Sequence, residues 1–140
     1  MLSTQPRHAT NDAHLSWPLP RDHAEPLLLR PAVEGDQPAI TQLVHGERLN
    51  PHGIGWANFV VAVMGHTVVG AVQMRQHPDG SRELGSLVVS RAHRGRGIAG
   101  RLISALLARH AGTIHVITRD SNALHYRRWG FAVIDPCDAP

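Results

Sequence analysis

Apolar residues change their spacing along this chain, and each change marks an element. Phe59 to Met64 (FVVAVM) is a continuous apolar run and reads as a strong strand. Gly65-His66 is a two-residue connection of the Gly-X type, which predicts a hairpin into a second strand, Thr67 to Gln76. His77 to Ser81 (HPDGS) is a loop by composition, and Arg82 to Ser90 reads as the third member of an antiparallel run. The spacing then turns helical, with Ile98, Leu102, Ile103, Leu106 and Leu107 on one face.

Upstream, Pro26 to Pro31 (PLLLRP) reads as a first strand. Asp36 offers an N-cap with Pro38 in the first turn, and Ile40, Leu43 and Val44 carry a helix to about Leu49. Downstream, Thr113 to Thr118 (TIHVIT) is a β-branched strand. Asp120 or Ser121 caps a short helix, Asn122 to Trp129, which Gly130 ends. Phe131 to Ile134 reads as a last short strand, stopped by Asp135-Pro136. The order β-α-turn-β-β-β-α-β-α-β predicts an α/β (α+β) fold: a mixed, mostly antiparallel central sheet flanked by helices. Residues 1–25 lack periodicity and carry Pro6, Pro18 and Pro20, so they read as a flexible arm before a domain spanning 26–140.

Composition narrows the classes. The chain has 140 residues, enough for one domain with a core. All fourteen of its basic residues are arginine, yet net charge is only +3, so a high isoelectric point is no sign of nucleic-acid binding. The stretch Arg91 to Gly97 lacks the lysines and interleaved aromatics of such a surface, and no nucleic-acid partner is expected. The eleven histidines are scattered and show no zinc-site spacing, so no metal is expected. One cysteine, Cys137, excludes an internal disulfide and is compatible with a reducing cytoplasm. No apolar run is long enough to span a membrane, and the N-terminus lacks a signal-peptide h-region.

The chemistry-bearing stretch is Ser90 to Ala111. It follows the apolar run Leu84 to Val89 and places Arg94-Gly95-Arg96-Gly97 immediately before the helix. A helix N-terminus exposes unpaired N–H groups and the positive end of the helix dipole. Glycines let an anion approach that backbone, and arginines add forked donors. The expected ligand group is a phosphate or pyrophosphate. Two patterns fit. Gly95, Gly97 and Gly100 match G-x-G-x-x-G, the dinucleotide fingerprint, with Asp120 at a suitable distance beyond. Against it, Ser90 to Arg94 separates the first glycine from the strand, the preceding hairpins are not βαβ units, and only 40 residues remain after Gly100.

Arg94, Gly97 and Ala99 match R-x-x-G-x-A, which with its flanking strand and helix resembles the acetyl-CoA-binding motif of the GNAT superfamily of N-acetyltransferases. Arg30-Pro-Ala-x-x-x-Asp36 resembles the opening of many such domains, and Asn122 to Phe131 (NALHYRRWGF) resembles the family's helix that carries a tyrosine and ends in Gly-Phe. The resemblance covers roughly Leu27 to Ile134. It departs at Arg119, where family members often carry an asparagine that contacts the pantetheine arm, and in the absence of a seventh strand after Ile134.

The resemblance implies acetyl-CoA as cosubstrate and acetyl transfer to a primary amine. The pyrophosphate would lie on Arg94, Gly95, Arg96, Gly97, Ile98, Ala99 and Gly100. The pantetheine arm would run along the backbone of Leu87, Val88 and Val89. Arg91 or Arg101 would reach the 3′-phosphate. Glu83 would be the general base, four residues before Leu87 and on the same strand face by period-two counting. Tyr126 would be the general acid. The connection Asn50 to Asn58 lines the acceptor site in the family, so Asn50, His52 and Trp56 are the substrate-binding candidates; Trp56 would otherwise plug the core. The missing last strand leaves an edge that favours pairing, so a homodimer is expected. The alternative is a catalytically weak acyl-CoA-binding sensor of the same fold, which would keep the loop without the catalytic pair.

Overall fold

The sheet is built outward from the buried hairpin. The computed structural model describes residues 26–49, 51–118 and 120–134; the N-terminal arm, Arg119 and Cys137 lie outside the described residues. β1 (Leu27–Pro31), β2 (Phe59–Met64), β3 (Thr67–Gln76) and β4 (Arg82–Val89) are antiparallel neighbours in that order, and β5 (His115–Val116) joins β4 in parallel. Gly65 takes φ +65° in the β2–β3 turn, as the Gly-X pattern requires.

Helices cover both faces. α2 (Ile98–Ala108) sets Ile98, Leu102, Ile103 and Leu106 against Val60, Ala62, Val69, Val72, Met74 and Leu84. α1 (Gln37–Gly46) sets Ile40 and Val44 against Phe59, Val61, Val63, Ala71 and Val88. Successive residues of β2 therefore serve opposite cores, which is why that strand is apolar throughout. α3 (Asp120–Tyr126) continues as a 3₁₀ turn, Arg127–Trp129, and Gly130 closes it at φ +88°.

Four expectations are corrected. Asp36 sits at the N-cap of α1 but makes no side-chain cap bond. Its carboxylate turns back to Arg30, at 2.7 and 3.1 Å, and accepts from the Val33 N–H at 2.8 Å, tying α1 to β1. α1 ends at Gly46, because the chain turns away at Arg48 with φ +55°. β5 has two residues, since its ladder stops at Leu84–Val116, next to an irregularity in β4. Phe131 to Ile134 forms no strand: so short a β5 offers it almost no ladder, and Val133 and Ile134 are exposed.

That irregularity is a bulge. Ala71 pairs with Val88 and Gln73 with Gly85, so Val72 alone faces both Ser86 and Leu87, and Ser86 takes φ +50°. The extra residue shifts the alternation. Leu84 and Leu87 both pack toward α2, while Val88 packs toward α1. The period-two count that put Glu83 on Leu87's face fails here, because it assumed an unbroken strand.

The Arg30–Asp36 pair gives a pH test. The hydrogen bonds from Arg30 hold the Asp36 carboxyl below its ordinary value of 3.8. The pairing therefore stabilises the fold fully above that value and is lost as pH falls through the lower, folded-state pKa. Asp36→Asn is expected to cost about 1–3 kcal/mol in urea unfolding at pH 7, and the difference from wild type should shrink toward zero in strong acid. A difference that stays constant across that range would show that charge plays no part.

Candidate functional site

The site begins where β4 loses its neighbour. β5 pairs only with Glu83 and Leu84, so from Gly85 to Val89 no strand lies beside β4 on that side among the described residues. A strand edge presents backbone donors and acceptors to any extended ligand. Leu87, Val88 and Val89 form one wall of a cleft of about 490 Å³. The α2 start supplies its floor through Gly97, Ile98, Ala99 and Gly100, and Trp129 with Arg128 closes the far side.

Glycine is needed in this loop for backbone reasons. Gly95 and Gly97 take φ +80° and +79°, and Gly97 is the left-handed N-cap of α2. Gly100 serves differently: a Cβ there would lie 3.1 Å from Trp129 Cζ2. Trp129 Nε1 also donates to Ser104 Oγ at 3.1 Å, pinning the indole across α2. Arg94 lines the cleft, donating through Nε to the Val89 carbonyl at 3.1 Å and through Nη2 to Glu47 Oε1 at 2.8 Å. Arg91 Nε reaches Glu47 Oε2 at 3.4 Å. The hydrogen bond from Arg94 is the main cause holding the Glu47 carboxyl below its usual range. Arg96 and Arg101 are exposed and do not line the cleft; His93 is half-buried and does.

A second cavity, of about 710 Å³, adjoins the first: Leu49, Leu87 and His125 line both. Glu83 from β4 and Tyr126 from α3 both line it. Glu83 is 14% exposed, and its Oε1 lies 2.9 Å from His77 Nε2; this histidine, rather than Arg82 or Arg75, is its partner. Tyr126 packs edge-on against His125 and Phe131, and burial raises its phenol pKa above the ordinary value, so the proton is present at neutral pH.

The connection before β2 contributes Leu49 to these cavities, whereas His52 and Trp56 line neither. Asn50 lies outside the described residues. Trp56 packs against the core under α1, and its backbone N–H donates to Gln37 Oε1 at 2.7 Å.

Behind the cavity stands a polar network that sequence reading missed. Gln73 is fully buried. With its amide assigned by the surrounding donors and acceptors, Gln73 donates to the Gly53 carbonyl at 3.0 Å, and its oxygen accepts from Ser86 Oγ at 2.9 Å and Arg75 Nε at 3.1 Å. Arg75 Nη2 donates to Ser86 Oγ at 3.0 Å. A glutamine inside an apolar strand was the available signal, since a buried amide demands partners. Its partners depend on the bulge. Among the described residues no cluster of three or more His, Cys, Asp or Glu could hold a metal, and no helix is long and apolar enough to cross a membrane.

The loop geometry is open to test. Gly97→Ala places a Cβ at φ +79° and should cost about 1–2 kcal/mol in urea unfolding. Gly35→Ala, where φ is not left-handed and a Cβ meets nothing within 4 Å, is the control. Equal effects at the two sites would argue against a left-handed cap at α2.

The comparisons with known proteins agree with this geometry. The profile of the acetyltransferase (GNAT) domain matches residues 55–133. No curated protein matches the chain in sequence. Among solved structures, N-acetylglutamate synthase from Neisseria gonorrhoeae, complexed with coenzyme A and N-acetyl-glutamate, superposes with TM-score 0.68 at 16% identity, over 81% of this chain and 30% of that one. Rv2747 from Mycobacterium tuberculosis, in complex with CoA, has TM-score 0.68 at 24% identity, over 77% and 73% of the two chains. The diaminobutyrate acetyltransferase EctA from Paenibacillus lautus, solved with its substrate L-2,4-diaminobutyric acid and coenzyme A, has TM-score 0.60 at 17% identity, over 75% and 73%. This chain thus spans under a third of the length of the Neisseria enzyme. At these identities the likeness is one of fold, and with the profile match over more than half its length the chain belongs to the GNAT acetyltransferase family.

Proposed function

We propose that this chain transfers an acetyl group from acetyl-CoA to a primary amine by direct attack in a ternary complex. One observation carries the reading: Glu83 and Tyr126 line a single cavity that joins the open-edge cleft through Leu87. Structures of similar fold bind coenzyme A, and the cleft has features fit for it. The α2 N-terminus and Arg94 suit a pyrophosphate, and the free edge of β4 suits a pantetheine arm.

Acetyl-CoA supplies a thioester whose carbonyl carbon is the electrophile. The backbone N–H near Leu87 polarises its oxygen as charge develops there. Glu83 takes a proton from the incoming ammonium, because only the neutral amine has a lone pair to attack. A C–N bond forms as the C–S bond breaks. Tyr126 gives its proton to the departing sulfur, and the second proton leaving the nitrogen restores the balance. The proton accepted by Glu83 passes to solvent.

Arg94 must leave Glu47, at least in part, to meet a phosphate, so the ion pair marks a side chain held ready beside the cleft. Acetyl-CoA at about a hundred times its dissociation constant should stabilise the chain by roughly 2.7 kcal/mol, whereas NADH and NADPH should not. Arg94→Ala should weaken that effect. With an accepted amine, Glu83→Gln is expected to lower kcat/KM by about 10²–10⁴-fold at unchanged acetyl-CoA affinity, and Tyr126→Phe to lower kcat. Binding of acetyl-CoA without turnover across a broad amine panel would instead identify a sensor.

A further inference from the structure

The acceptor cavity contains one charge that the reaction above leaves unused. Arg75 on β3 stands opposite Glu83 on β4. Cross-strand partners of this kind have Cβ atoms about 4.5–5.5 Å apart, yet these two side chains form no ion pair. Glu83 gives Oε1 to His77, and among the described residues no ion pair engages Arg75.

Neutral groups hold the guanidinium instead. Gln73 Oε1 accepts from Nε and Ser86 Oγ from Nη2, which uses two of the five N–H donors of an arginine. The side chain lies against bare backbone at Gly85, where a Cβ would come 3.1 Å from Nε and 3.5 Å from Cζ. A fully buried glutamine, a bulge serine and a glycine thus converge on one cation that lines the cavity and, among the described residues, is engaged by no ion pair. The remaining donors form a planar fork, the shape that binds a carboxylate through two parallel hydrogen bonds.

Building on the transferase reading, we propose that the acceptor is a free α-amino acid, its carboxylate bound by Arg75 and its α-amine presented to Glu83. A cation and an anion side by side on one strand pair complement the two ends of a zwitterion. A polyamine would meet Arg75 with like charge. A lysine within a protein chain carries no carboxylate beside its amine. The acetyl transfer itself balances as written above, with the α-nitrogen as nucleophile.

The test uses the full chain with acetyl-CoA and a panel of L-amino acids, each paired with its α-carboxamide, together with polyamines and a lysine-containing peptide. The carboxamide keeps the amine and the side chain and removes only the anion. At least one amino acid should be acetylated with kcat/KM roughly 10–150-fold above its carboxamide, the range of a charged hydrogen-bonded pair. Arg75→Met should bring the amino acid down to the carboxamide level, mainly through KM, while the thermal shift with acetyl-CoA stays at its wild-type size. Arg75→Lys should restore part of the preference. If Arg75→Met fails to fold, the wild-type comparison of acid and carboxamide decides alone. Carboxamides or polyamines serving as well as amino acids would overturn the proposal, as would a lost acetyl-CoA shift in Arg75→Met, which would put Arg75 in the coenzyme site. Acetylation of no amine at all, with acetyl-CoA bound, would sink the transferase reading and this inference with it.

Discussion

One extra residue in β4 controls most of what surrounds the site. Val72 faces both Ser86 and Leu87, and the strand must bulge to fit them. The bulge follows directly on the last paired residues of β5, so the sheet opens beyond Leu84 and the backbone of β4 is left without a strand beside it. It also reverses which residues face which helix, sending Leu87 toward α2 and Val88 toward α1. Without that reversal Ser86 would not meet Gln73 and Arg75. A left-handed serine is an unfavourable conformation. The cores on both sides of the sheet and the buried amide of Gln73 are what hold it there.

The electrostatics of the site follow one rule on both sides of the bulge: cations stand at the cavity walls, steadied by groups that leave donors available. Arg94 is braced by the Val89 carbonyl and by Glu47, a surface carboxylate shared with Arg91. Arg75 is braced by neutral oxygens only. The difference matters, since an anion entering at Arg94 must displace Glu47, while Arg75 is in no ion pair among the described residues and Glu83 beside it is bonded to His77. The acid side of the site is equally divided. Glu83 is paired with His77, whereas Tyr126 sits among aromatic rings whose burial keeps its proton in place.

Aromatic packing joins these parts. Trp129 lies against Gly100 and bonds to Ser104, so the end of α3 and its 3₁₀ extension dock on α2. His125 and Tyr126 precede it by one turn and contact its ring edge-on. The glycine that sequence reading assigned to coenzyme contact is thus also the seat of the tryptophan that closes the cleft.

What the sequence determined by itself was local. Apolar period gave β2, β3, β4 and α2 within a residue or two, because a strand buried on both faces and an amphipathic helix leave patterns that need no partner to be read. The glycines at 95 and 97 were legible as a loop before a helix, and the structure adds that both take left-handed backbone. Where an element depends on a neighbour, reading failed. β5 shrank and Phe131 to Ile134 formed no strand because ladder length is a property of two chains of residues, not one. Asp36 had the composition of a cap, but Arg30 competes for its carboxylate. For Trp56 and His52 the sequence could not say where the connection before β2 would pack, and the structure places them outside the lining of the two cavities. Gln73 and Arg75 lie on β3, Ser86 lies on β4, and all three are ordinary in type. Only the register of β3 against β4, with its one-residue mismatch, brings them together, and register is decided by packing on both faces of the sheet at once.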